Sequence, residues 1–284
     1  MRSLCVRSSM NPLLKTQKIG FLGAGNMAQT IIRGLIEAGI PAKNIYASNR
    51  SPGKLHKLVE TYGINEAVSN DDLIDTCQIV VLAIKPQDLL EALEPVTRSF
   101  DNTKIVISVA AGIRMERLQK YIHGARLARV MPNTPAMIGK GVIGYLIDDE
   151  SDTALDATVE DLFMPLGEVF KVHDEDQFEA LMVSCSSGTG FVFEMMMYWQ
   201  DWIEEHGFSP EDAHKMTVET FVGASLLAKQ AREGVEDLQA KVTSKKGVTA
   251  AGLQSMRELE IERALRISFE KAAMRNKEMA REIK

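Results

Sequence analysis

Lys18-Ile19-Gly20-Phe21-Leu22-Gly23-Ala24-Gly25-Asn26-Met27-Ala28 is the stretch whose reading decides the fold. Residues 19–22 form a short apolar run that reads as a buried strand. Residues 23–28 then fit G-x-G-x-x-A. A helical pattern opens behind them over residues 26–38, with Ile31, Ile32, Leu35 and Ile36 on one stripe and Gly39 as its stop. Strand, tight turn and helix form the context in which this fingerprint binds a dinucleotide. Gly23 is expected to allow the sharp turn and Gly25, lacking a Cβ, to let a pyrophosphate reach the backbone. Ala28 keeps the helix close to the strand. Ala24, Asn26 and Met27 complete the turn, where free N–H groups and the positive helix end face the phosphates.

Working outward, residues 44–48 read as the second strand. About twenty residues past the glycines an acid usually binds the ribose hydroxyls of NAD. This chain has Asn49-Arg50-Ser51 there. A carboxylate would repel a 2′-phosphate; Asn49 does not, Arg50 can pair with it as a fork, and Ser51 can donate a hydrogen bond. The cofactor read from these residues is NADP(H).

The pattern continues with a helix over 52–62 stopped by Gly63, a short strand at 67–68, and a helix capped by Asn70 or Asp71. Strands follow at 79–84, 104–109, 126–130, 142–147 and 168–172, with a helix over 153–163. The strand at 79–84 is apolar throughout, as doubly covered parallel strands are. Small or proline-bearing segments stand where strands end: the glycine turn, Lys85-Pro86, Ala110-Ala111-Gly112 and Met131-Pro132-Asn133-Thr134-Pro135. Ligands of open α/β sheets bind at such ends. After residue 173 helical periodicity takes over, at 176–183, 190–205, 210–232 and 249 to the end, interrupted at 184–190 and 242–249. The fold class is α/β, a Rossmann-like doubly wound parallel sheet with an antiparallel edge, followed by an all-helical C-terminal domain. Three parts are expected: a flexible extension over 1–17, an NADP-binding domain over 18–173, and a helical domain over 174–284, to which the resemblance given below assigns substrate binding and dimerisation. Arg2, Arg7 and Lys15 among serines give the extension a faint likeness to a transit peptide.

Composition excludes several classes. The net charge of -6 over 284 residues leaves nothing to offset nucleic-acid phosphates. Apolar runs stay short of a membrane span. Cys5, Cys77 and Cys185 are far apart and the five histidines show no metal-ligand spacing. No metal site and no disulfide are expected, and the compartment is read as cytoplasmic. The methionines of Glu194-Met195-Met196-Met197-Tyr198-Trp199 read as core or as a subunit contact.

Taken together, Gly23-Ala-Gly-Asn-Met-Ala28, Leu82-Ala-Ile-Lys-Pro86, Val109-Ala-Ala-Gly112, Arg129-Val-Met-Pro-Asn-Thr-Pro-Ala136 and Val242-Thr-Ser-Lys-Lys-Gly-Val-Thr249 resemble the pyrroline-5-carboxylate reductase family. The resemblance implies NADPH-dependent hydride transfer to a cyclic imine carboxylate, the last step of proline synthesis. It implies NADP contacts at residues 23–28, Asn49, Asn70, Ala83, Ile84, Lys85, Pro86 and residues 110–112. It also implies intertwined homodimers, often assembled into decamers. Thr249 would hydrogen-bond the imine nitrogen and assist its protonation. Ser244, with backbone N–H groups near Gly247 and Val248, would hold the carboxylate, and Asn133 would lie at the substrate. The family pattern is broken around the substrate: Ser-Pro-Gly-Gly-Thr-Thr becomes Ser244-Lys245-Lys246-Gly247-Val248-Thr249, and Ser-Gly-Ser-Gly-Pro-Ala-Tyr becomes Cys185-Ser-Ser-Gly-Thr-Gly-Phe191. Two alternatives stay open: a related imine or carbonyl-acid reductase, and a catalytically silent NADP-binding paralogue.

Overall fold

The computed structural model describes residues 11–282. Arg2, Cys5 and Arg7 of the expected extension lie outside them. The described part of that extension is ordered. Pro12–Thr16 forms a 3₁₀ helix whose Asn11 cap accepts the Leu13 N–H, and Leu14 joins the hydrophobic core.

The sheet strands are β1 (Ile19–Leu22), β2 (Ile45–Ser48), β3 (Asn65–Glu66), β4 (Ile79–Leu82), β5 (Ile105–Ser108), β6 (Arg126–Met131), β7 (Gly141–Ile147) and β8 (Gly167–Lys171). Among them run α1 (Asn26–Glu37), α2 (Pro52–Tyr62), α3 (Asn70–Thr76), α4 (Pro86–Leu93), α5 (Met115–Leu118), α6 (Thr153–Phe163) and α7 (Glu175–Leu181). The eight strands lie in the order β3-β2-β1-β4-β5-β6-β7-β8. All neighbours are parallel except β6 and β7. The first six follow the 3-2-1-4-5-6 order of a dinucleotide-binding sheet, with its switch point between β1 and β4. The antiparallel step therefore lies inside the sheet, since β8 returns parallel to β7.

Burial explains the apolar runs. Every residue of β1, β4 and β5 is buried, because helices cover both faces. One face packs Phe21, Val81, Ile107 and Tyr145 against Ile31 and Leu35 of α1 and Val159 and Phe163 of α6. On the other face α3 crosses β1 and α7 crosses β7. Arg129 of β6, 3% exposed, is ion-paired to Glu175 and stacked 4.2 Å over the Phe178 ring. A buried guanidinium needs such partners, and they fix α7 to the sheet.

Several expected boundaries shift. The third strand is Asn65–Glu66 rather than 67–68, although the Ala67 N–H still donates to the Ala47 carbonyl. Ser69 caps α3, accepting the Asp72 N–H, so neither Asn70 nor Asp71 is the cap. The interruption expected at 184–190 is a π-helical segment, Met182–Ser187, and helical structure runs unbroken over Glu175–Glu205. That run of 31 residues is long and apolar enough to cross a membrane by length and composition, contrary to the reading of separate short runs.

The chain divides into two compact units, one ending at Ser186 and also including the C-terminal end from Ala273, the other Ser187–Ala272. The second unit holds α8 (Gly188–Glu205), α9 (Pro210–Gln230), the unexpected short α10 (Val235–Lys241), α11 (Val248–Glu258) and most of α12 (Ile261–Glu282). The expected single helix from 249 onward breaks at Leu259 and Glu260, where Glu260 adopts φ 52°. Within this unit α8 packs on α9, with Trp199 edge-on to Phe221 at 5.4 Å. Yet Phe193, Met197, Tyr198, Trp202 and Leu227 are exposed. The methionine-rich stretch is thus not core. A contiguous apolar surface of this kind marks a contact site.

Candidate active site

The glycine turn is built by two unlike requirements. Gly23 sits at φ +110°, and a Cβ there would stand 2.6 Å from the Ala83 carbonyl oxygen. Its N–H donates to Ser48 O at 2.9 Å, so β2 and β4 both converge on it. Gly25 has φ -74° and ψ 178°, ordinary extended backbone, and its nearest neighbour to a Cβ is 4.0 Å away. The polypeptide itself does not require glycine at 25, which leaves the space over its backbone open for a ligand. Gly25 is the N-cap of α1 without a side-chain cap, so the first N–H groups of that helix are left for an anion.

A cleft of about 680 Å³ opens from this turn along the ends of β1, β2 and β4. Gly23, Ala24 and Gly25 line its centre, with Ala83, Ile84 and Lys85 beyond β4 and Asn49, Arg50 and Ser51 beyond β2. Asn70 also lines it, and its side-chain oxygen accepts the Ser48 hydroxyl at 2.8 Å. Asn26 and Met27 open α1, and Pro86 opens α4 behind the Lys85 cap. Ala110, Ala111 and Gly112 follow β5, where Gly112 turns at φ 74°. Ala28 is wholly buried in the core, so it brings the helix close but touches no ligand.

Asn49 has a second task that its sequence position did not reveal. Its oxygen accepts the Ala24 N–H at 3.2 Å and its amide donates to Ser51 O at 2.8 Å. It staples the strand end to the glycine turn while still lining the cleft. Arg50 is 84% exposed, 4.0 Å from Asp88. Lys54, in the first turn of α2, lines the same end of the cleft and was not singled out from sequence. A basic residue one turn past Arg50 was the available signal.

Asn133 was expected at the substrate. It is buried, its amide donates to Cys185 O at 3.1 Å, and its oxygen accepts the Val142 N–H at 2.9 Å. These two bonds latch Asn133 to β7 and to the π-helical segment. Cys77 is buried and free, and burial pushes its thiol up to about 12, which keeps it out of nucleophilic chemistry. Among the described residues no cluster of His, Cys, Asp or Glu could hold a metal.

In the second unit, Ser244 to Gly247 form a tight turn into α11. The Gly247 N–H donates to Ser244 O at 2.9 Å, and a Cβ on Gly247 would stand 2.1 Å from the Ser244 hydroxyl. Gly247 is the N-cap of α11, and it offers no side-chain cap. Ser244, Val248 and Thr249 are exposed. The third turn residue, Lys246, has φ 60°. A turn with positive φ there favours proline then glycine, the pair the family pattern carries and Lys245-Lys246 replaces. A left-handed lysine costs roughly 1–2 kcal/mol, offset in part when glycine loosens the unfolded chain. Lys246→Gly is expected to raise the melting temperature by about 1–3 °C, read by calorimetry. A lower one would show that the lysine side chain stabilises the turn.

A mostly parallel sheet in this strand order and an open glycine turn under an uncapped helix, with no acid at the end of β2, define a dinucleotide-binding domain. A profile described as "NADP oxidoreductase coenzyme F420-dependent" matches residues 18–112, and one described as "Pyrroline-5-carboxylate reductase dimerisation" matches residues 175–279. Pyrroline-5-carboxylate reductase 2 of Bacillus subtilis is 32% identical over 267 residues, covering 93% of this chain and 95% of its own. The Pseudomonas aeruginosa enzyme is 29% identical over 271 residues, covering 95% and 99%. A solved pyrroline-5-carboxylate reductase from Coxiella burnetii, 29% identical, superposes with a TM-score of 0.87 over 93% of this chain and 98% of that one. A Plasmodium falciparum pyrroline carboxylate reductase with NADP bound, 23% identical, shares the fold at a TM-score of 0.83 over 94% and 99%. The chain belongs to the pyrroline-5-carboxylate reductase family.

Proposed function

We propose that the chain reduces 1-pyrroline-5-carboxylate to L-proline with NADPH. The observation that carries the reading is the start of α11, an uncapped helix N-terminus with the Ser244 and Thr249 hydroxyls exposed beside it. Ser244 and the N–H groups of Val248 and Thr249 hold the substrate carboxylate, for the reason that helix starts hold anions. Thr249 donates its hydroxyl hydrogen bond to the imine nitrogen as that nitrogen gains its proton. The glycine turn and the first turn of α1 hold the pyrophosphate; Arg50, Ser51 and Lys54 hold the 2′-phosphate. NADPH, when bound, supplies the hydride. Steady-state turnover with this imine and saturating NADPH tests the reading, and a rate at background would reject it.

Arg50→Glu places a carboxylate where the 2′-phosphate would lie. The expected result is a rise of about 10- to 100-fold in KM for NADPH with KM for NADH changed less than about 2-fold, since a charge-assisted contact contributes ~1.5–3 kcal/mol. An unchanged NADPH/NADH ratio removes Arg50 from the site.

Lys245-Lys246 favours a second reading, an imine of the same class carrying a further anionic group, which a panel of ring imines separates. The exposed apolar surface and the dimerisation profile make the functional unit a homo-oligomer, and we take Glu175–Glu205 as a subunit contact rather than a membrane span. A homodimer, with a decamer as its higher assembly, is the proposed form. Among the described residues, Cys77 and Cys185 are not joined by a disulfide, and the proposed compartment is the cytoplasm.

A further inference from the structure

The ribose end of the cleft is less basic than Arg50 suggests. Arg50, Lys54 and Lys85 line it, but so do Glu66, Asp88 and Glu91. Three cations face three carboxylates. Glu66 already has a partner, His56, at 3.6 Å. Asp88 is the carboxylate that reaches Arg50, at 4.0 Å.

The two members of this pair differ in freedom. Asp88 sits in the first turn of α4, its N–H bonded to Lys85 O at 2.9 Å, where the positive helix end favours a carboxylate. Arg50 lies between β2 and α2 and is 84% exposed. The acid is held on a helix, and the more exposed guanidinium has the room to turn toward another anion.

We propose that Asp88 is a cofactor-specificity residue that competes with the 2′-phosphate for Arg50 and so limits the preference for NADPH over NADH. The inference rests on the proposed placement of the 2′-phosphate at Arg50. With NADPH bound, Arg50 either leaves Asp88 or shares itself between two anions, so part of its attraction for the phosphate is lost. With NADH no such conflict arises, and a nearby carboxylate is the group that suits ribose hydroxyls. An exposed pair is worth little, so the effect is a modest tuning rather than a switch.

The test is fluorescence titration of the full-length protein with NADPH and with NADH, for Asp88→Asn, Arg50→Met and the double variant. Asp88→Asn is expected to raise the affinity ratio of NADPH to NADH by about 3- to 10-fold, less at high salt because these charges are exposed. In the Arg50→Met background the same change loses most of its effect. A structural role for Asp88 would shift both cofactors together and leave the ratio alone, which overturns the inference. If Arg50→Met collapses the ratio while Asp88→Asn leaves it unchanged, only the inference about Asp88 fails. If Arg50→Met itself leaves the ratio unchanged, the placement of the 2′-phosphate fails and Asp88 with it.

Discussion

Gly25→Ala is expected to leave stability within about 0.5 kcal/mol of the parent while weakening NADPH binding by roughly 10- to 100-fold. The position has φ -74° and nothing nearer than 4.0 Å to a new methyl group, so the chain tolerates it. A pyrophosphate lying against the backbone would not. Gly23→Ala is the control with the opposite sign. There φ is +110° and the methyl group would meet the Ala83 carbonyl at 2.6 Å. That carbonyl belongs to backbone whose N–H is bonded to Leu22 O at 2.8 Å, so it yields little. A strained backbone and an overpacked contact together predict a loss of about 2–5 kcal/mol. Thermal melts with NADPH titrations on both variants separate the effects. If Gly25→Ala binds NADPH like the parent, no cofactor phosphate lies on this turn.

Thr249→Ala carries the second large effect. Loss of a group that assists proton transfer typically lowers kcat by about 100- to 10,000-fold. The hydroxyl is exposed in the second residue of α11, behind the Gly247 cap, so its removal takes away no capping bond. Stability is therefore expected within about 0.5 kcal/mol of the parent and the NADPH dissociation constant unchanged. Thr249→Ser should restore much of the rate, because it keeps the hydroxyl. A fall in kcat of under about 3-fold for Thr249→Ala would leave the imine nitrogen without its proposed partner.

Local chemistry was legible in the sequence because it acts over a few residues. The apolar run Ile19–Leu22, the glycine turn and the helix behind it stand where the pattern put them. Proline starts α2 and Gly63 ends it at φ 69°. The third strand was misplaced because it is two residues long, too short for a period to show. The break at 184–190 was misread because small polar residues that interrupt a helical pattern also tolerate a π turn. Residues 12–16 were assigned to an extension because a single apolar side chain, Leu14, anchors them.

By itself the sequence determined the succession of strands, the glycine turn with the helix behind it and the absence of an acid after β2, since each is written in neighbouring residues. Tertiary structure alone decided which polar groups were already taken. Asn49 is bonded to Ala24 and Ser51, Asn133 to Cys185 and Val142, and Arg129 to Glu175, while Arg50 meets Asp88 across the cleft. Most of these partners are 9 to 52 residues apart along the chain, and a hydrogen bond or ion pair at that separation leaves no trace in local periodicity. Whether a polar side chain awaits a ligand or holds the fold depends on that pairing, so it becomes visible only once the strands are side by side.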